Sequence, residues 1–329
     1  MRNVLMVKKS FSLKTIAAFI AYIIFFIAIT SPFCILYGPF DNVKKTLIGM
    51  VLGSRHRYVA EMLLSKKEIE KIEGSKKVIA SKEISSEDID KIDVKYKDDK
   101  EITKYDINTS KFDAYLLEIK DPTRVKVTYS KYLGKNGQKT SEMAKDKKAV
   151  AAINGGSFVD TNYAGVGAIP GGFVISKGQV IYKDCDEDTK QDVVAFTSKG
   201  KLVVGYHNIN ELKNLDITEA VCFPAPTLVI DGQGQITDKQ CDGANPRTAV
   251  GQKEDGTVLF LVADGRKNLV KIGASLYDLQ EIMLKHGALN AGVLDGGYST
   301  TMYYNGEIIN SPNEWDGERT VPTALYVEP

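Results

Sequence analysis

The sequence predicts an α+β fold: a mixed or antiparallel sheet domain with several hairpins and few helices, preceded by a transmembrane helix and a helical stalk. Three observations predict it. Short apolar and β-branched runs recur from Lys111 onward between turn signals, two-residue loops rich in Gly and Asn join several of them, and one uncharged apolar run stands near the N-terminus. The 329 residues, 43% hydrophobic and 26% charged, have the composition of a globular chain without solenoid or propeller periods. A formal net charge of +1, with no long basic stripe after the N-terminus, gives no support for nucleic acid as a partner.

Residues 1–14 form a basic tail, in which Arg2, Lys8, Lys9 and Lys14 precede the first acid, Asp41. Residues 15–40 carry no charge, and roughly 20 apolar residues suffice to cross a hydrocarbon core. The run is longer than the apolar region of a cleavable signal and shows no convincing small-x-small cleavage site. It therefore reads as a signal anchor, giving a single pass of the cell membrane with the basic end in the cytoplasm and the C-terminal domain extracellular. Cleavage and secretion would place the domain in the same compartment.

Residues 41–74 read as a juxtamembrane helix, because Ile48, Val51, Tyr58, Met62, Ile69 and Ile72 follow at three-, four- and seven-residue steps. Arg55 and Ser65 interrupt a strict heptad, which argues against a long coiled coil, and His56 reads as a solvated helix residue. Residues 75–110, rich in Lys, Asp, Glu and Ser, read as a charged linker. Cys34 lies in the apolar run. Cys185, Cys222 and Cys241 are an odd number, so at most one bridge forms among them; Cys222 and Cys241 flank a hairpin and are the chosen pair. Their spacing resembles no zinc site.

Residues 111–329 carry the pattern of a folded domain. Strands are expected at 112–119 and 125–129 around the turn Asp121-Pro122, then a short helix at 140–148. Hairpins are expected at 176–179, at 231–234 and at Asn305-Gly306. A helix is expected between Ser275 and His286: Ser275 and Asp278 form a capping box, Leu276, Leu279, Ile282 and Met283 share a face, and Gly287 ends it. His286 is expected to meet the free carbonyls of its last turn.

Three apolar strands end alike. Residues 149–153 run into Asn154-Gly155-Gly156, residues 258–263 into Asp264-Gly265-Arg266, and residues 291–294 into Asp295-Gly296-Gly297-Tyr298-Ser299-Thr300. Neighbouring strands that point the same way would bring these ends into one site, where glycines leave room for a ligand on the backbone. An isolated Asp-Gly-Gly is as readily a tight turn. A two-residue loop at Asp255-Gly256 would place Glu254 opposite Thr257, and Arg247 opposite Asp264. That pair could equally be an ion pair closing a hairpin. A guanidinium fork suits phosphate oxygens, as do Gly-Gly backbone donors, Ser299 and Thr300. The chain has no Walker sequence, no G-x-G-x-x-G before a helix and no G-x-S-x-G, and of its three histidines only His207 is left as a triad candidate, which disfavours a serine hydrolase.

Five ordered blocks carry a resemblance: residues 152–158, residues 245–251, Asp264-Gly265-Arg266, residues 294–300 and residues 318–322. Over residues 111–329 the chain resembles the phosphodiester glycosidase family, whose bacterial relatives are often described as exopolysaccharide proteins with an N-terminal anchor. Ser157 stands where an aromatic residue is often found, and Tyr298 where a third glycine is common. The resemblance implies hydrolysis of a sugar joined through its anomeric carbon to a phosphodiester, in a glycosyl-phosphate polymer of wall or capsule or in a small sugar phosphodiester. A phosphate monoester, with a second pKa of about 6, leaves readily, so no strong general acid is required. In this reading Asp295 is base or nucleophile, and Asp264 is a second carboxylate or orients Arg247. Arg247 and Arg266 hold the phosphate. Asn154, Gly155, Gly156, Gly296, Gly297, Ser299 and Thr300 bind substrate, joined by Glu318 and Arg319 unless these two form a structural ion pair. No cofactor is required by the sequence, although carboxylates meeting phosphate leave room for a divalent metal. The competing readings are a non-catalytic polysaccharide-binding or assembly protein and a metal-dependent phosphodiesterase cutting P–O bonds.

Overall fold

The computed structural model describes residues 12–40, 43–44, 47–48, 51, 57–69, 88–159, 166–268, 270–312 and 317–329. Arg2, Lys8, Lys9, Arg55, His56, Ile72 and the first part of the expected linker, residues 75–87, lie outside the described residues. The chain divides into two units, residues 1–47 and 48–329.

In the first unit, α1 (Leu13–Tyr37) begins on Ser12, whose side chain accepts from the Thr15 N–H, and stops at Gly38. Its 25 residues rise 1.5 Å each, roughly 37 Å in all, and it is long and apolar enough to cross a membrane.

The second unit opens with α2 (Arg57–Leu63) and the strands β1 (Ile102–Asn108), β2 (Asp113–Ile119) and β3 (Val125–Tyr129). Then come α3 (Thr140–Asp146), β4 (Ala151–Asn154), β5 (Phe173–Ser176), β6 (Gln179–Lys183), β7 (Gln191–Thr197) and β8 (Leu202–His207). After α4 (Ile209–Asn214) follow β9 (Ile217–Cys222), β10 (Val229–Ile230), β11 (Arg247–Lys253) and β12 (Val258–Ala263). The last elements are α5 (Leu276–Lys285), β13 (Ala288–Leu294), β14 (Met302–Tyr304) and β15 (Thr323–Val327).

Three large sheets and two two-stranded ones, Gln138–Lys139 with Thr320–Val321 and Phe158–Val159 with Ile169–Pro170, form among the described strands, all with antiparallel pairing. The largest runs β1-β2-β12-β11-β13-β10 and ends in Gln233–Gly234. The second runs β8-β7-β9-β5-β6, and the third runs from Glu307–Ile308 through β14-β4-β15 to β3. One apolar core lies between them, taking Phe260 and Leu294 from the first sheet, Val194 and Phe196 from the second, and Ile153 and Leu325 from the third. A single short helix covers the outer face of each sheet: α5 on the first, α4 on the second, α3 on the third. The period-two geometry of a strand is visible in β12, where Val258, Phe260 and Val262 face the shared core while Leu259, Leu261 and Ala263 face the α5 side. With both faces covered, the strand reads as an unbroken apolar run.

Local signals act as their chemistry dictates. Ser275 caps α5 with Asp278 in a reciprocal box, and Gly287 takes a φ of +79° just past its end. Lys177-Gly178, Asp231-Gly232 and Asn305-Gly306 each pair positive φ values in two-residue hairpin loops. His286 turns from the helix end to place Nδ1 3.4 Å from Glu118, with its ring edge on Tyr105.

Three expectations are corrected. The charged segment is not a free linker where it is described, because residues 102–108 are β1 and pair with β2 along their whole length. Ile92 is buried, and the Asp93 N–H donates to the Glu254 carbonyl at 2.8 Å. The juxtamembrane stripe differs too: Tyr58 and Met62 are exposed, whereas Ile48, Ala60, Leu64 and Ile69 are buried, and α2 gives way near Ser65, whose hydroxyl donates to Glu68 at 2.8 Å. All four cysteines are free thiols, and Cys222 and Cys241 belong to separate apolar clusters, on the α4 and α5 sides.

Candidate active site

In the first sheet β12 and β13 flank β11 and both run antiparallel to it, so their C-terminal ends stand beside Arg247 at its start. The end of β4 reaches the same edge from the third sheet. Asn154, fully buried, fastens it there: its amide donates to the Asp295 carbonyl at 2.6 Å, and its oxygen accepts from the Thr248 hydroxyl at 2.7 Å and the Thr301 N–H at 3.1 Å. The Asp295 N–H donates to the Gly155 carbonyl at 3.1 Å. Residues from three distant blocks therefore share one sheet end, with Asn154 acting as a knot between them.

The expected Arg247–Asp264 pair does not form. Arg247 is opposite Ala263, one residue short of the expected partner, because the loop has three residues: the Lys253 N–H donates to the Thr257 carbonyl at 2.9 Å across Glu254-Asp255-Gly256. The Asp255 carboxylate accepts from the Thr257 N–H, and Gly256 takes a φ of +89°, the form of a three-residue turn closed by a left-handed glycine. A one-residue shift turns Asp264 to the opposite face from Arg247. Arg247, 5% exposed, instead donates to the Asp242 carboxylate at 2.5 Å and to the carbonyls of Asp242, Gly243 and Ala274 at 2.6, 3.0 and 3.2 Å. Asp264, 1% exposed, accepts from the Asn310 amide, the Ser311 N–H and Lys267. Burial opposes the charge on Lys267, yet Asp264 and Asp113 together hold its pKa above the usual lysine value. Asp242, Asn310 and Ser311 were not legible as partners because each comes from a loop whose path no local pattern fixes.

The turn after β13 is tied to its neighbours through backbone groups. The Gly296 N–H donates to the Asp295 carboxylate at 2.9 Å and the Gly297 N–H to the Pro246 carbonyl at 2.9 Å, so these donors serve the turn rather than stand open. Arg266 lies against Gly297. Its Nη2 donates to the Asn245 side chain at 3.1 Å, and its guanidinium carbon is 4.7 Å from the centre of the Tyr298 ring. Nε and Nη1 are buried and have no hydrogen-bond partner among the described residues; the same holds for the hydroxyls of Ser299, Thr300 and Thr301. Burial lowers the Arg266 pKa, as does the nearby Arg247 charge, with Tyr298 opposing both. Asn245 went unnoticed in the sequence, although it stands two residues before Arg247 in a block already singled out.

Gly155 and Gly156 are packing glycines. A side chain on Gly155 would stand 2.8 Å from the Thr323 carbonyl, and one on Gly156 would meet the Cys222 carbonyl; their N–H groups donate to the Thr323 carbonyl and hydroxyl. Glu318 is buried and accepts from the N–H and hydroxyl of Ser141 at the start of α3, where burial pushes its pKa up. Arg319 lies over the Phe158 ring, 4.7 Å from its centre. Thus Glu318 serves a helix start, while the ring of Phe158 lies under Arg319. Among the described residues no three His, Cys, Asp or Glu side chains gather as metal ligands.

Comparison with known proteins adds to this geometry. A model of the family described as phosphodiester glycosidase matches residues 147–328. The SPbeta prophage-derived uncharacterized protein YomE of Bacillus subtilis (strain 168) is 31% identical over 218 residues, 63% of this chain and 31% of that protein. N-acetylglucosamine-1-phosphodiester alpha-N-acetylglucosaminidase of Bos taurus is 36% identical over 87 residues, 25% of this chain and 16% of that enzyme. The matches thus span less than a third of the length of these relatives. Among solved structures, the catalytic domain of the zebrafish enzyme of the same name, auto-inhibited by its pro-peptide, matches with a TM-score of 0.57 and 21% identity over 70% of this chain and 83% of that one. A putative exported protein from Burkholderia pseudomallei K96243 matches with a TM-score of 0.51 and 16% identity over 66% of this chain and 74% of that one. At such identities the likeness is one of fold. The family match itself covers more than half of the chain and all five blocks in full, and the strand ends meeting at Asn154 and Asp295 fall within it: the chain belongs to the phosphodiester glycosidase family.

Proposed function

We propose that this chain is a membrane-anchored hydrolase that cleaves the anomeric C–O bond of sugar-1-phosphodiesters in glycans on the outer side of the cell membrane. The observation that carries the reading is Arg266: a partly exposed cation whose Nε and Nη1 are buried without partners among the described residues, set beside the Asp295-Gly296-Gly297 turn and followed across that turn by the likewise unpartnered hydroxyls of Ser299 and Thr300. These donors suit the oxygens of a phosphodiester. Asp295 acts as base or nucleophile at the sugar carbon. Oxygen from water joins the anomeric carbon, and the bond from that carbon to the phosphate oxygen breaks with its electron pair on the phosphate. Arg247 and Asp264 support this chemistry indirectly, the first by fixing residues 242–246 and the second by fixing residues 310–311. The apolar helix α1 serves as the anchor.

Hydrolysis of a panel of sugar-1-phosphodiesters in oxygen-18 water tests the proposal. Label in the released sugar supports it; label in the phosphate, or no turnover with any member of the panel, overturns it. Asp295→Asn is expected to abolish turnover and keep ligand affinity. Protease accessibility of residues 88–329 on intact cells tests the side of the membrane.

A further inference from the structure

The donors around Arg266 share a condition that native proteins seldom tolerate. Arg266 Nε and Nη1, Ser299 Oγ and Thr300 Oγ1 are buried polar atoms with no partner among the described residues. Arg266 also has a φ of +55°, a left-handed backbone that costs a residue with a Cβ. The surrounding loop imposes it. The Arg266 N–H donates to the Ile272 carbonyl and the Lys267 N–H to the Lys271 carbonyl, both at 3.1 Å, while Gly265 lies so close to Ile272 and Gly273 that a side chain there would stand 2.6 Å from the Ile272 carbonyl. The guanidinium is thereby directed onto the turn after β13, where Asn245 holds one nitrogen and the Tyr298 ring covers its face. Tyr298 and Arg266 are each partly exposed, yet Nε and Nη1 of Arg266 and the hydroxyls of Ser299 and Thr300 have almost no contact with solvent.

We propose that Tyr298 is a specificity-determining cover on an oxyanion subsite made by Arg266, Ser299 and Thr300, and that an anion enters by displacing the ring from the guanidinium. Nε and Nη1 offer charge-assisted N–H donors to the oxygens of an anion, and the two hydroxyls donate as well. Stacking is exchanged for charge-assisted hydrogen bonds. Asn245 is a positioning residue: it holds Nη2 and so fixes the orientation of the guanidinium. This inference rests on the reading of Arg266 as the phosphate-holding residue.

The test is residue-specific modification of arginine by phenylglyoxal on the full chain, mapped by mass spectrometry, in wild type, Tyr298→Phe and Tyr298→Ala, with and without inorganic phosphate. Arg266 is expected to react slowly in wild type and Tyr298→Phe, which keep the ring, and on the order of tenfold faster in Tyr298→Ala, with phosphate binding ~2- to 30-fold tighter once no stacking has to be broken. Arg247, buried and ion-paired, reports whether the variant is folded. Equal Arg266 rates in the Phe and Ala variants overturn the cover. A faster rate that phosphate does not slow overturns the anion reading of Arg266, and the proposal with it. Fluorotyrosine labelling examines the native ring independently of any unfolding: the resonance missing from Tyr298→Phe is expected to shift when phosphate is added to wild type, and an unmoved resonance at saturating phosphate overturns the proposal.

Discussion

Replacing Arg247 by alanine separates two roles for a residue in one of the five blocks that carry the family resemblance. The guanidinium makes an ion pair and three carbonyl contacts, so its removal leaves the Asp242 carboxylate without its cation and three carbonyls without donors. Breaking a buried pair from one side costs about 3–5 kcal/mol. Solvent reaches Asp242, whose side chain is 22% exposed, and this keeps the total within that range rather than above it. For a domain of this size each kcal/mol moves the melting temperature by about 2–4 °C, so a fall of roughly 6–20 °C is expected. Arg247→Lys should fall between, since a compact ammonium keeps the charge and cannot span four acceptors. Thermal melts followed by circular dichroism at fixed pH and salt measure it. A variant that melts within about 2 °C of wild type while losing affinity for phosphate would refute the reasoning and return Arg247 to the ligand.

The other predictions concern different links of the structure. Gly155→Ala should lose about 1–3 kcal/mol to overpacking against Thr323 and should lose turnover with it, because the Gly155 carbonyl holds the Asp295 N–H; an unchanged melting temperature would contradict the packing argument. Ser275→Ala removes the α5 cap at about 1 kcal/mol and should leave turnover unchanged; a loss of activity at full stability would assign Ser275 a role at the site. Burial raises the Glu318 pKa, so the folded chain holds that proton more tightly than the unfolded chain does. Wild type should therefore lose stability relative to Glu318→Gln as pH rises from the ordinary glutamate value of about 4.5 through the raised one. A gap between the two melting curves that stays constant with pH, or that favours wild type at the higher pH, would refute the sign.

Much of the fold was legible because its signals are local. The α5 cap, the three hairpin loops with positive φ and the apolar strands are set by residues within a few positions of one another. The convergence of strand ends was legible from their shared Asn- or Asp-Gly endings. The β11–β12 register was not, because Asp255-Gly256 fits a two-residue loop as readily as the last two positions of a three-residue one, and the choice is made by a distant segment: Asp93 and Lys95 donate to the loop carbonyls, and Val94 packs on Gly256. The glycines of Asn154-Gly155-Gly156 looked like ligand donors. They are close-packing positions, and that depends on Thr323 and Cys222, which only the folded chain brings near.

β1 has a consequence for how this domain can be handled and how it stays apart from its copies. A protein trimmed to begin at Lys111 would strip β2 of its partner and bare a row of amides and carbonyls along an apolar strand, an invitation to intermolecular pairing. As the outermost strand, β1 presents Lys104 and Asp106, 2.9 Å apart, to its surroundings instead. The charges that gave this stretch the look of a tether stand where a further strand would have to pair, and they oppose it.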